Sequence, residues 1–397
     1  MYVGIPKETM SAERRVAATP ETVAEYRQMG FKVLVESGAG AGIFVSDDQY
    51  REAGAEIVLS AEEVYARADV VLKVKQPIQN AGLGRHEVDM MKPNAVLIAF
   101  LHPATPSNHD LVRRLQEKGT TSFTLDSIPR TISHAQVMDA LTSMSTVTGY
   151  RSVLLAATMF PRFVPVISTA VGATRPARIL ALGAGVVGLQ AIATAKRLGG
   201  ITTAVDTRAE AREQAVSLGA KAAGFEVPEE LAVGEGGYSK ALPDEWLEKE
   251  RDALGPLLRD SDIVISSALL PGERAPLLIT DPMVRQMNPG SVIVDVSVDQ
   301  GGNCSLTQAG ETIEVGNVVI CGVANIPGGM PVDATWFFAR NVLHNVKHLF
   351  PDGPADPQLA DKVARSMLVT HDGSIVHAGT LKAMREMESS GPTRSEI

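Results

Sequence analysis

Short apolar runs alternate along the chain with longer stretches in which apolar residues recur every three or four positions. The runs Tyr2–Ile5, Lys32–Val35, Val70–Val74, Ala95–Phe100 and Thr121–Leu125 have the length and β-branched content of buried strands. Between them, Pro20–Met29, Glu62–Arg67 and His109–Glu117 carry helical spacing. Strands alternating with helices predict a parallel sheet covered on both faces, because each crossover lays a helix against the sheet. A longer helical pattern runs from Ser133 to Met159, and Pro161, Pro165 and Pro176 mark broken structure after it. The alternation then resumes with a strand ending at Leu182, a helix to Leu198, the strand Ile201–Val205 and a helix over Glu210–Leu218. Ile263–Ser266 and Ser291–Val296 extend this second sheet, Asn317–Gly322 adds to it, and a helix over Ala334–Leu349 returns the chain to the first. The expected fold class is α/β, with two Rossmann-like doubly wound parallel-sheet domains. The first joins residues 1–135 to 330–385, the second spans 136–329, and the polar residues 386–397 form a disordered tail.

Between the strand ending at Leu182 and the helix that follows, Gly183, Gly185 and Gly188 stand at G-x-G-x-x-G spacing. Each glycine has a separate reason to be there. Gly183 permits a tight turn, Gly185 lets a pyrophosphate approach the backbone, and Gly188 lets helix and strand pack closely. Val186 and Val187 open the helix, whose free N–H groups and partial positive charge suit phosphate. The next strand ends at Asp206, placed to accept hydrogen bonds from the hydroxyls of an adenosine ribose. A glycine-rich turn in some other α/β unit would account for the glycines alone, but not for strand, helix, second strand and acid together. The carboxylate would repel a 2′-phosphate, which favours NAD(H) over NADP(H) as the cofactor. Thr207 and Arg208 follow it; the arginine could meet such a phosphate, stack on adenine or face solvent. Further on, Gly234 to Tyr238 reads as a mobile loop, either an idle linker or one in which Gly237 and Tyr238 close over a nucleotide.

Composition narrows the class. With 397 residues, 45% of them hydrophobic and 21% charged, the chain is an ordinary globular protein with ample core. A net charge of −9 provides no basic footprint for nucleic acid and no pull toward anionic membranes. Cys304 and Cys321 are too few for a disulfide framework or a cysteine-rich metal site, so no metal is expected and a reducing compartment fits. Residues 1–20 lack the apolar core of a signal peptide, and no long uninterrupted apolar run is present to span a membrane.

The residues resemble one superfamily along about 1–385: alanine dehydrogenase together with the NAD(H)-binding subunit of proton-translocating nicotinamide nucleotide transhydrogenase. GIPKET, ERRVAATPE, the VESGAGAG of Val35–Gly42, the LKVKQP of Leu72–Pro77, ALLPGERAPLLIT and MNPGSVIVDV are common to both branches. IPRTISHAQVMDALTSM, TGYRSVLLAA, GLQAIATAKRLG, GEGGYSKAL and GGNCSLTQAGE resemble the transhydrogenase branch. That resemblance implies a soluble subunit in which hydride passes directly between NADH and NADP⁺. It implies nicotinamide contacts from Arg130, Gln136 and Asp139, with Thr142 one turn on, Gln136 and Asp139 being closest to catalysis. It also places Leu269 against the cofactor. PRTISHAQ is one residue longer than the usual PRISRAQ, and His134 stands where the family has a second arginine. If this segment is helical, Gln136 and Asp139 share a face; on spacing alone they would read as solvated polar residues.

The partners so implied are a membrane subunit, an NADP(H)-binding subunit and a second copy in a homodimer. The implied location is cytoplasmic, peripheral to the inner membrane through those subunits. The alanine dehydrogenase branch implies a different set: Arg15 and Lys75 for a substrate carboxylate, His102 for proton transfer and Asp299 near the reacting centre. These residues are present, so NAD-dependent deamination of alanine to pyruvate is the alternative enzyme. The blander account is inherited fold residues, with His102 capping a strand end and Lys75 solvated. A third, non-enzymatic possibility is an NAD-binding regulatory module.

Overall fold

The computed structural model describes residues 1–234, 239–270 and 274–390. The chain forms two compact units, one of Met1–Met144 with the residues from Gly328 onward, the other of Ser145–Pro327. Residues 136–144, assigned from the sequence to the second domain, thus lie in the first unit.

In the first unit the strands Glu56–Val58, Lys32–Glu36, Tyr2–Ile5, Val70–Leu72, Val96–Ala99 and Thr121–Thr124 lie side by side and parallel. Leu368–His371 and Ser374–Ile375 add antiparallel at the far edge. Every residue of Val70–Leu72, Val96–Ala99 and Thr121–Thr124 is buried, as expected of a sheet covered on both faces. Helices Pro20–Gln28, Ala61–Arg67 and His109–Glu117 form the crossovers expected from the periodicity. Glu56–Val58 is too short to stand out as a run, and TSFT and LVTH join through side chains as well as backbone, with Ser122 Oγ and Thr370 Oγ1 2.6 Å apart. The closing helix runs Ala378–Ser390, so the expected disordered tail is helical over its first residues, 386–390; residues 391–397 lie outside those described.

In the second unit the strands Lys221–Ala222, Ile201–Val205, Arg178–Leu182, Ile263–Ser266, Val292–Asp295 and Val318–Cys321 are parallel in that spatial order. Thr312–Val315 closes the edge antiparallel to Val318–Cys321, its alternately exposed pattern marking it as an edge strand. Chain order reverses between Arg178–Leu182 and Ile263–Ser266, where a doubly wound sheet opens a crevice beyond its carboxyl ends. Ile179, Ala191, Ile263 and Val292 pack on one face, and Leu180, Leu254, Val264 and Ile293 on the other. No helix among the described residues is long and apolar enough to cross a membrane.

Candidate functional site

The second unit presents its chemistry on the loops that leave the strand ends. Gly183 adopts φ +87°, the left-handed conformation that lets the chain turn sharply out of Arg178–Leu182. A Cβ on Gly188 would meet the Gly183 carbonyl at 1.9 Å, so only glycine allows the helix Val186–Arg197 to start this close to the strand. Around Gly185, the residue before that helix, a Cβ would meet nothing within 4 Å, so the backbone there is open to an approaching group. The first-turn amides, including those of Val186 and Val187, have no partner four residues back and can serve an anion.

Asp206 is buried at the end of Ile201–Val205 and ties the two loops together: its Oδ2 accepts from the Ala184 amide at 2.8 Å. Arg208 grips the same carboxylate, through its backbone N–H at 2.9 Å, its Nε at 3.0 Å and its Nη2 at 2.9 Å. Of the fates left open for Arg208, the structure displays an ion pair with Asp206, and that hydrogen bond raises the guanidinium pKa further. Thr207 is half-buried, and its carbonyl accepts from Arg212. Leu269 is partly exposed beyond Ile263–Ser266, and Asp299 is exposed in the turn Val296–Gln300 beyond Val292–Asp295. Gly237 and Tyr238 lie outside the described residues.

Sequence reasoning passed over the residue that organises these last two loops. Asn303 is fully buried, and its Oδ1 accepts from Ser266 Oγ, the Ala268 amide and Ser297 Oγ. Its Nδ2 donates to the carbonyls of Ala268 and Pro276. Asp295 in turn accepts from the Asn303 and Cys304 amides and from Thr307 Oγ1. The only local hint is the glycine pair before Asn303, both with positive φ, which bends the chain back into the sheet end.

The first unit gathers Arg130, Asp139 and Thr142. The predicted helix from Ser133 is broken: Ser133–Met138 is a 3-10 turn, Asp139 leaves helical geometry with ψ 85°, and the α-helix starts at Ala140. The cause is Asp139 itself, whose carboxylate accepts from the Thr142 amide at 2.8 Å and Thr142 Oγ1 at 2.6 Å, as an N-cap does. Gln136 and Asp139 therefore do not share an α-helical face. Gln136 is exposed and Asp139 is 7% exposed, with Arg130 Nε 3.5 Å from its Oδ2.

The alanine-dehydrogenase set in this unit is also tied to neighbours. Arg15 is buried, with Nε 2.8 Å and Nη2 2.6 Å from the Glu13 carboxylate and Nη1 2.9 Å from Met144 Sδ. Burial would push the Glu13 carboxyl up, but Arg15 outweighs it and holds it low. Lys75 is half-buried. Two residues earlier, Lys73 is 1% exposed and lies 3.2 Å from Glu8 and 3.3 Å from Glu87, a buried cluster that sequence reasoning missed because its acids are remote in the chain. His102, at φ +44°, places Nδ1 2.7 Å from Asp126 Oδ1 while its amide donates to Oδ2 at 2.7 Å. Burial disfavours the Asp126 charge, yet His102 and Thr124 together hold its carboxyl below the usual range. Among the described residues no group of histidine, cysteine and carboxylate side chains is placed to hold a metal ion.

Residues 4–148 match the family model "Alanine dehydrogenase/PNT, N-terminal domain", and 152–378 the corresponding C-terminal domain. The chain belongs to the alanine dehydrogenase/PNT family. Within it, the chain is 42% identical over 384 residues to the first part of the NAD(P) transhydrogenase subunit alpha of Rhodospirillum rubrum, covering 95% of this chain and 98% of that one. It is 31% identical over 389 residues to the alanine dehydrogenase of Mycolicibacterium smegmatis, 96% of each chain. A solved transhydrogenase structure from Sinorhizobium meliloti superposes with a TM-score of 0.82 at 36% identity, over 95% of this chain and 100% of that one. The family and its oxidoreductase, nucleotide-binding fold are thereby established, and the relatives named as subunits are parts of a multi-subunit complex.

Proposed function

We propose that the chain is the NAD(H)-binding alpha subunit of a proton-translocating NAD(P) transhydrogenase, passing hydride between NADH and NADP⁺. Its partners in this reading are a membrane subunit, an NADP(H)-binding subunit and a second copy of itself, which hold it at the cytoplasmic side of an inner membrane. The observation that carries the reading is the segment Ser133–Asp139, where transhydrogenase-like sequence folds into a 3-10 turn with Gln136 exposed, followed by Asp139 as the cap of the next α-helix. The greater identity with the transhydrogenase subunit than with the alanine dehydrogenase supports it.

The residues present fit a dinucleotide. Gly185 and the first-turn amides of Val186 and Val187 would take the pyrophosphate, and Asp206 the adenosine ribose. The nicotinamide supplies the hydride chemistry, so the protein's task is orientation rather than nucleophilic or acid–base work. Gln136, Asp139 and Arg130 would hold the nicotinamide half, with Thr142 fixing the Asp139 carboxylate. Replacing Gln136 with Asn tests this division. Losing one neutral hydrogen bond costs about 1 kcal/mol, so NADH should bind within roughly tenfold of wild type. Misplacing the reacting carbons costs on the order of a hundredfold in rate, visible by stopped-flow with an NADP(H)-binding partner. A wild-type rate would remove Gln136 from the site.

The His102–Asp126 pair favours a second reading, alanine dehydrogenase, because a carboxylate-oriented imidazole suits proton transfer. Steady NAD⁺ reduction with alanine, abolished in His102→Ala, would establish it. In the transhydrogenase reading neither alanine nor pyruvate turns over, and His102→Ala binds NADH normally.

A further inference from the structure

The helix Pro331–Leu349 buries Ala334, Phe338, Val342 and Val346 and, among them, two asparagines. Asn341 is 7% exposed and Asn345 fully buried, and their spacing of four puts both on one face. That face carries the Ser133–Met138 turn. Asn341 Nδ2 donates to the Val137 carbonyl at 2.8 Å, and Asn345 Nδ2 donates to the Met138 carbonyl at 3.0 Å. Asn345 Nδ2 also donates to the Asn341 carbonyl at 2.8 Å, one turn back in its own helix, which fixes the direction of its amide. Both amide oxygens, by contrast, are buried with no partner among the described residues. An orphaned buried acceptor weakens a core, and a leucine at either position would avoid it. The donor ends are what these positions use.

Within the turn, Ala135 and Met138 are buried, while Gln136 and Val137 between them are exposed. The two clamped carbonyls directly follow Gln136 in the chain, and the Gln136 carbonyl accepts from the Asp139 amide at 3.2 Å. Every backbone acceptor from Gln136 to Met138 therefore has a donor. We propose that Asn341 and Asn345 are positioning residues for hydride transfer, an amide clamp that fixes the direction in which Gln136 is presented. This rests on the reading that Gln136 orients the nicotinamide. The clamp acts on the backbone of the turn, which as a 3-10 segment has poor hydrogen-bond geometry of its own. An exposed glutamine on a free turn would sample several arrangements. On the clamped turn the ordering is complete on folding rather than at the moment of transfer.

Stopped-flow hydride transfer from NADH to an NADP⁺-loaded partner subunit, with NADH titration beside it, tests the clamp in the full chain. Asn345→Ala and Asn341→Ala should each slow transfer by roughly ten- to a hundredfold, the scale of a misplacement of about 1 Å. NADH affinity should stay within roughly tenfold of wild type, because the groups assigned to pyrophosphate and ribose belong to the second unit. Urea unfolding checks the fold of Asn345→Ala, and Asn341→Ala, at the less deeply buried position, decides the matter if that variant does not fold. In Gln136→Ala no amide is left to present, so adding Asn341→Ala should slow transfer no further. A merely structural role would instead multiply the two losses. Wild-type transfer in the asparagine variants, multiplied losses, or affinity falling as far as rate would overturn the clamp and leave a slow Gln136→Ala standing for Gln136. No transfer by the wild-type complex, or an unimpaired Gln136→Ala, would overturn the reading of Gln136 and the clamp together.

Discussion

In the first unit, the loops leaving Tyr2–Ile5, Val70–Leu72, Val96–Ala99 and Thr121–Thr124 deliver Glu8, Lys73, His102 and Asp126. Those groups meet one another: Lys73 with Glu8 and Glu87, His102 with Asp126. In the second unit, the loops leaving Arg178–Leu182 and Ile201–Val205 deliver a glycine turn, open space at Gly185 and one carboxylate fastened to a loop amide. Both sheets have the doubly wound order that collects chemistry at the carboxyl edge. What differs is how far each edge satisfies itself. Lys73 sits sealed among its own acids, whereas the Gly183 turn keeps helix amides directed at space. A carboxyl edge becomes a nucleotide site when its backbone donors stay available, and a structural keystone when its charges close on each other.

The largest effect should come from breaking the closed edge. Lys73→Met leaves Glu8 and Glu87 buried without their cation and should cost about 3–5 kcal/mol in urea unfolding. A loss below about 1 kcal/mol would mean that water, not Lys73, carries those acids. On the open edge, Gly188→Val drives a side chain into the Gly183 carbonyl. It should cost about 1–3 kcal/mol of stability from overpacking and, by displacing the helix start, most NADH affinity; unchanged NADH titration would detach the motif from binding.

Asp206→Ser should sharpen the contrast from the ligand's side. Removing the acid weakens NADH and releases Arg208 toward a 2′-phosphate, so the preference for NADH should narrow by about tenfold, or 1.4 kcal/mol. A preference that survives intact would place selectivity elsewhere. The smallest change concerns pH. Asp126 has a depressed carboxyl pKa in the fold, so its stabilising contribution is present above the unfolded range near about 4 and is lost as pH falls through the folded value. Asp126→Asn should therefore flatten the acid limb of a stability–pH curve, and identical limbs would show that the His102 pair adds nothing there.

Much of this edge chemistry was legible because it is local. Gly183, Gly185 and Gly188 announce themselves by spacing, and Asp206 by closing the next strand; a few consecutive residues set both geometries. The 3-10 turn was hidden because Ser133–Met159 has helical periodicity throughout, and only the bonds from Thr142 to Asp139 reveal where the α-helix begins. Lys73 gave no sign of its role, since its acids come from residues 8 and 87, brought near by the sheet. Asn303 gave little sign for the same reason: its partners span residues 266 to 297 and meet only when two strand ends are side by side.

Leu368–His371 pairs with Thr121–Thr124, so the first sheet is completed by residues nearly at the far end of the chain. The second unit, by contrast, is a continuous segment, Ser145–Pro327. During synthesis, at about 5–20 residues per second, that segment has left the ribosome seconds before the last strands of the first sheet exist. The second unit can thus mature while the first still has an open β edge at Thr121–Thr124. Until Leu368–His371 arrives to cover it, that edge is a stretch of the nascent chain open to mispairing.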